Sequence, residues 1–194
     1  MKTILSLCVV VISLLLSKYS RADEERAPHP LAVASQGGRC FFKMIPAKVE
    51  LQEKKYVTTR EAFGVAYTID ADGNFKELWK TSGWYSFEIF LSDDGQYLVR
   101  MGPWNRGHEP KKGDLAVAFY KNGKLLKEYS VIDLVEDKNK VIATVSHYFW
   151  LDRELGSEAE RKLDWNNVFY LKTIDGIIYQ FDATTGEIKK TEKS

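Results

Sequence analysis

The stretch Gly102–Gly113 (GPWNRGHEPKKG) gathers residue types that chemistry often uses. Trp104 offers an aromatic platform, Asn105 and Arg106 offer hydrogen-bond donors, His108 a ring that titrates near neutral pH, and Glu109 a carboxylate. A histidine beside a carboxylate can act as general acid or base, which is the chemistry of a hydrolase. The stretch supplies no nucleophile, so binding through its aromatic and polar side chains is the first reading. Hydrolysis using His108 or His147 with nearby carboxylates is the alternative. There is no G-x-S-x-G elbow, phosphate-binding loop or dinucleotide fingerprint.

Other reactive side chains read more plainly. His29, His108 and His147 have no metal-ligating spacing between them, so no metal site and no cofactor is expected. His147, in Val145-Ser146-His147-Tyr148-Phe149-Trp150, reads as a strand-packed histidine. Asp70-Ala71-Asp72-Gly73-Asn74 alternates acidic residues like a calcium loop. Its glycine comes fourth rather than sixth and lysines lie nearby, so it reads as a hairpin turn. Cys40, beside Phe41 and Phe42, reads as a small buried hydrophobe in a first strand. Most of the five tryptophans belong in a core. Trp84 with Tyr85, and Trp104, stand next to glycines and turns and are expected to be exposed for contact with a partner.

These residues need elements to hold them, and the sequence offers hairpins. Val65–Ile69 and Phe75–Trp79 flank Asp72-Gly73. Phe87–Leu91 and Tyr97–Arg100 flank Asp94-Gly95. Leu115–Tyr120 and Leu125–Tyr129 flank Asn122-Gly123. Val168–Thr173 and Ile177–Phe181 flank Asp175-Gly176, and Thr185-Gly186 precedes Glu187-Ile188-Lys189. Asn-Gly and Asp-Gly tolerate the positive φ of tight turns, so five such turns between β-branched and aromatic runs predict antiparallel sheet. Two short helices are expected. One covers Ser130–Asp137 with Ser130 as N-cap, and the other covers Ser157–Leu163, where Ser157 and Glu160 fit a capping box.

Leu91-Ser92-Asp93-Asp94-Gly95-Gln96-Tyr97-Leu98-Val99 resembles the S-x-D-G-x-x-L/V hairpin of many WD40-like β-propeller blades. Thr173-Ile174-Asp175-Gly176 through Asp182-Ala183-Thr184-Thr185-Gly186-Glu187-Ile188 is similar to the quinoprotein-type propeller repeat. The likeness covers roughly half of the chain beyond residue 22. It implies an all-β fold, an antiparallel meander of hairpins in a small or incomplete propeller-like sheet, and it carries no quinone with it. At about 40–45 residues per blade, residues 23–194 hold about four blades.

Composition narrows the partners. The 194 residues carry 28 basic and 27 acidic side chains, without the basic excess of a nucleic-acid binder. Lys2, then the 14-residue apolar run Ile4–Ser17, then Ser20-Arg21-Ala22 read as a signal peptide cleaved after Ala22. The run is short for a bilayer span of about 20 residues, so no stable membrane insertion is expected after its removal. The expected organisation is a signal peptide at 1–22, a flexible leader at 23–38 and one β-rich domain at 39–194. The expected protein is a secreted or periplasmic, non-enzymatic binding or scaffolding domain. It would recognise a protein or carbohydrate through Trp84, Tyr85, Trp104, Asn105, Arg106, His108 and Glu109. Unpaired sheet edges offer a further route to assembly.

Overall fold

Tight turns demand positive φ, and the residues that tolerate it set where this chain reverses. The computed structural model describes residues 25–152 and 161–193. Within them the strands are β1 (Leu31–Ala34), β2 (Cys40–Ile45), β3 (Lys48–Gln52), β4 (Lys55–Arg60), β5 (Phe63–Ile69), β6 (Phe75–Ser82), β7 (Ile89–Leu91) and β8 (Tyr97–Met101). They continue with β9 (Leu115–Lys121), β10 (Lys124–Ser130), β11 (Ile142–Ala143), β12 (Tyr148–Phe149), β13 (Lys162–Leu163), β14 (Val168–Lys172), β15 (Ile177–Asp182) and β16 (Glu187–Lys193). All five hairpins expected from the Asp-Gly, Asn-Gly and Thr-Gly turns are present.

The strands form three four-stranded antiparallel sheets, in the orders β1-β2-β5-β6, β10-β9-β8-β7 and β13-β14-β15-β16, with two-stranded ribbons β3-β4 and β11-β12. The fold is all-β, built of antiparallel hairpin sheets, and among the described residues no sheet closes into a propeller or barrel. Leu31–Ala34 lie in the stretch read as a flexible leader. They form β1, in register with β2 from Leu31↔Met44 to Ala34↔Phe41. Alternation of Leu31 and Val33 with small alanines lets the strand place two apolar side chains against the core.

In the middle sheet, β9 is buried on both faces. Along β9, Val117 and Phe119 join Phe169, Leu171 and Phe181 of the last sheet. Ala118 and Tyr120 join Phe42, Met44 and Trp79 of the first sheet. Because successive side chains on a strand point to opposite faces, one strand serves two cores. Each large side chain so buried contributes roughly 1.5–3 kcal/mol. Polar ties cross the sheet boundaries as well, two of them from aromatic side chains. Trp79 Nε1 donates to the Gly95 carbonyl, 2.7 Å, and the Tyr129 hydroxyl donates to the Gly186 carbonyl, 2.9 Å. Cys40 is buried on the first core, as its apolar neighbours predict.

Helix α1 (Val131–Leu134) starts where expected. The Asp133 carboxylate accepts from the Ser130 backbone N–H, 2.8 Å, and from its hydroxyl, 2.6 Å. The second expected helix falls mostly outside the described residues, and its last two positions, Lys162 and Leu163, form β13.

Candidate functional site

Between β8 and β9 the chain runs irregularly, and what fixes it is the ribbon β11-β12. Asn105 accepts from the Tyr148 N–H, 3.1 Å, and the Gly107 N–H donates to the Ser146 carbonyl, 3.0 Å. Arg106 and His147 form an antiparallel bridge between these bonds. At the loop's exit Asp114 accepts from the Lys111 N–H, 2.8 Å, and from the Tyr148 hydroxyl, 2.6 Å. Burial, with this carboxylate beside it, pushes the Tyr148 phenol far above its ordinary value, so it stays a neutral donor.

The aromatic residues turn inward. Trp104 lies on the His147 ring, centroids 3.8 Å apart, and His147 meets Phe149 edge-on at 4.4 Å. His147 is buried, and its Nδ1 is 2.8 Å from the Thr144 hydroxyl oxygen. That is the strand-packed histidine the sequence predicts. Arg106, His108 and Glu109 point outward, together with Val145, which is 94% exposed at the ribbon's turn. His108 Nε2 donates to the Val145 carbonyl, 3.3 Å, and so meets a backbone oxygen rather than a carboxylate.

The seven residues singled out in the sequence fall into two neighbourhoods. Trp104, Asn105, Arg106, His108 and Glu109 share the loop. Trp84 belongs to the packing between the first and middle sheets, parallel to Phe42 at 6.1 Å and tilted on Tyr120 at 5.4 Å, with the Arg100 guanidinium 4.5 Å above its ring. Its indole N–H donates to Thr81, 3.1 Å. Burial raises the Tyr120 phenol, partly offset by the same guanidinium. The Tyr85 hydroxyl donates to the His29 carbonyl, 2.8 Å.

Residues 25–30 join the two neighbourhoods. Glu25 pairs with Arg106 at 2.5 Å, Arg26 stands over the Phe87 ring, and His29 engages Tyr85. Trp84 and Trp104, expected to be exposed, are both half-buried, and Trp165 at 60% is the open one. Glycines beside a tryptophan shape a turn without saying which way the ring faces. Val145 went unnoticed because a single valine in a polar turn carries no sequence signal.

Among the described residues no three His, Cys, Asp or Glu side chains converge on a metal site. Asp70 accepts from the Asp72 and Asn74 N–H groups, 3.0 and 2.8 Å, as a hairpin turn requires. These bonds, that to Asn74 first, hold its carboxyl below the usual carboxylate range. A cleft of about 270 Å³ beside β7 is lined by Phe87, Ile89 and Phe90 and by the Glu88–Arg161 pair, 3.0 Å. No helix among the described residues is long and apolar enough to cross a membrane. No protein-family model matches this chain, and no curated protein is similar to it at a significant level.

Proposed function

We propose that the protein is an exported, non-enzymatic binding or scaffolding domain that recognises a protein partner through the loop 102–113 and the turn 144–146. The carrying observation is the backbone clamp between them. Two hydrogen bonds and a bridge hold the backbone that carries Arg106, His108, Glu109 and Val145 on one frame, so little loop entropy remains to be lost on binding. Mixed charge around an exposed apolar side chain is the composition of a protein-binding rim. A sugar platform needs an open aromatic face, and Trp104 gives one face to His147. Secretion or residence in a periplasm, with residues 1–22 removed as a signal, belongs to this reading. So does the description of the three sheets as an incomplete, propeller-like stack.

The test is affinity capture from the native envelope or medium, alongside a glycan array, with wild type and the triple variant Arg106→Ala, His108→Ala, Val145→Asp. Capture of one polypeptide by wild type and its loss in the variant is the expected result. Unchanged capture removes the site, and binding to a glycan alone replaces the partner class.

A further inference from the structure

Where the loop 102–113 meets solvent it carries more cations than carboxylates. Arg106, Lys111 and Lys112 are exposed, and Glu109 is the loop's one exposed acid. The Lys111 ammonium lies 3.8 Å from where a Cβ on Gly107 would stand, so it sits beside the residue that follows Arg106. Among the described residues neither Lys111 nor Lys112 forms an ion pair. Arg106 does. Its guanidinium meets the Glu25 carboxylate at 2.5 Å, and both side chains stay open to water, 78 and 40% exposed. Glu25 belongs to irregular chain ahead of β1. Four positions further on that chain is anchored: the His29 N–H donates to the Tyr85 hydroxyl, 3.2 Å, and the His29 carbonyl accepts from it, 2.8 Å. The occupant seen at Arg106 is therefore a carboxylate carried on a peptide.

We infer that the partner of this face presents an acidic polypeptide segment, and that Glu25 is a built-in competitor which the segment displaces from Arg106. The inference rests on the reading of the loop as a protein-binding site. The pair is weak enough to exchange, because an exposed ion pair favours its closed form by a factor of only about one to five. It is also tethered, and a short tether gives an effective concentration on the order of millimolar. A single free carboxylate competes poorly with that. A segment bearing several carboxylates reaches Lys111 and Lys112 as well as Arg106, whereas Glu25 meets Arg106 alone among the described residues.

Fluorescence anisotropy on the exported chain tests this, with a labelled peptide bearing four glutamates and its glutamine counterpart as probes. Wild type should bind the glutamate peptide and not the other, more weakly as salt is raised. Glu25→Gln should tighten binding about two- to six-fold, the share of Arg106 that it frees. Arg106→Gln should weaken binding about tenfold or more. In that background the gain from Glu25→Gln should vanish, since both act through one contact. Thermal melts of the two single variants should match wild type, because both side chains are exposed. Equal binding of the two peptides overturns the inference, and so does a Glu25→Gln variant that binds no tighter. Binding of dextran sulfate without binding of the glutamate peptide overturns it too, in favour of an anionic polysaccharide. Loop-dependent capture of a polypeptide without an acidic run overturns it while leaving the binding reading in place. Capture that does not depend on the loop removes the reading itself, whatever the peptides do.

Discussion

Two hairpins in this molecule turn on the same backbone geometry and meet opposite fates. Asn122-Gly123 joins β9 to β10 with φ of 48° and 77°, and Glu53-Lys54 joins β3 to β4 with φ of 47° and 67°. The first turn is built of residues that accept left-handed φ, and the strand that enters it, β9, is walled in on both sides. The second is built of residues that resist it, and its strands are open to water on both faces. The turn geometry therefore does not decide stability. Packing does: β9 serves two cores, whereas the arm formed by β3 and β4 has only its own ladder among the described residues.

The comparison can be broken most decisively at Phe119. Its ring is fully buried against Phe169 and Phe181, at centroid distances of 6.2 and 5.1 Å. Phe119→Ala should destabilise the fold by about 3–5 kcal/mol in urea unfolding, and Tyr56→Ala by under ~0.5 kcal/mol. Similar losses at the two sites would mean that the arm has a core after all.

Next comes the turn itself. A Cβ at Gly123 would stand 2.4 Å from the Lys80 carbonyl oxygen, at a φ that side chains avoid. Gly123→Ala should therefore cost about 2–3 kcal/mol by the same assay. A variant as stable as wild type would show that the turn does not press on β6.

Alkali should act on the packed region. Burial, with Glu136 and Asp175 nearby, pushes the Tyr179 phenol up to about 12, and its hydroxyl donates to the Leu134 carbonyl, 2.7 Å. A value raised on folding gives stability that is whole below pH 10 and is lost as the pH climbs toward 12. Tyr179→Phe should flatten that decline in thermal melts. An unchanged alkaline slope would place its cause at another group.

The smallest effect sharpens the contrast. Replacing Glu53-Lys54 by Asn-Gly gives the arm the residues its φ values ask for. It should gain about 1 kcal/mol locally, visible as slower amide exchange in β3 and β4, with the global melting temperature unmoved.

The same pair of hairpins explains what could be read beforehand. Asn122-Gly123 and the other glycine-bearing turns announce themselves, because few residues accept their backbone. Glu53-Lys54 does not, although Lys48–Arg60 carries the alternation of a half-apolar ribbon. Strand β1 was hidden by the prolines and polar residues before it, since four residues show alternation only once their partner strand is known. The loop 102–113 was visible as a cluster of useful side chains. Its division was not, because the inward turn of Trp104 depends on His147, 43 positions further along the chain. Trp84 was misread as exposed for a related reason: its neighbours Phe42 and Tyr120 come from two different sheets.

The contacts of residues 25–30 bear on the order of assembly. Glu25 meets Arg106 across 81 positions, and His29 meets Tyr85 across 56. Synthesis from the N-terminus delivers this segment early and its anchors much later. Until then the strap has nowhere to dock, and β1 behind it lacks β2. Residues delivered early are thus among the last to be secured, and closing so long a loop carries an entropic toll that the docked contacts must offset. A bulky tag placed just upstream would interfere at that final step, leaving the loop 102–113 clamped by the ribbon but Arg106 without Glu25.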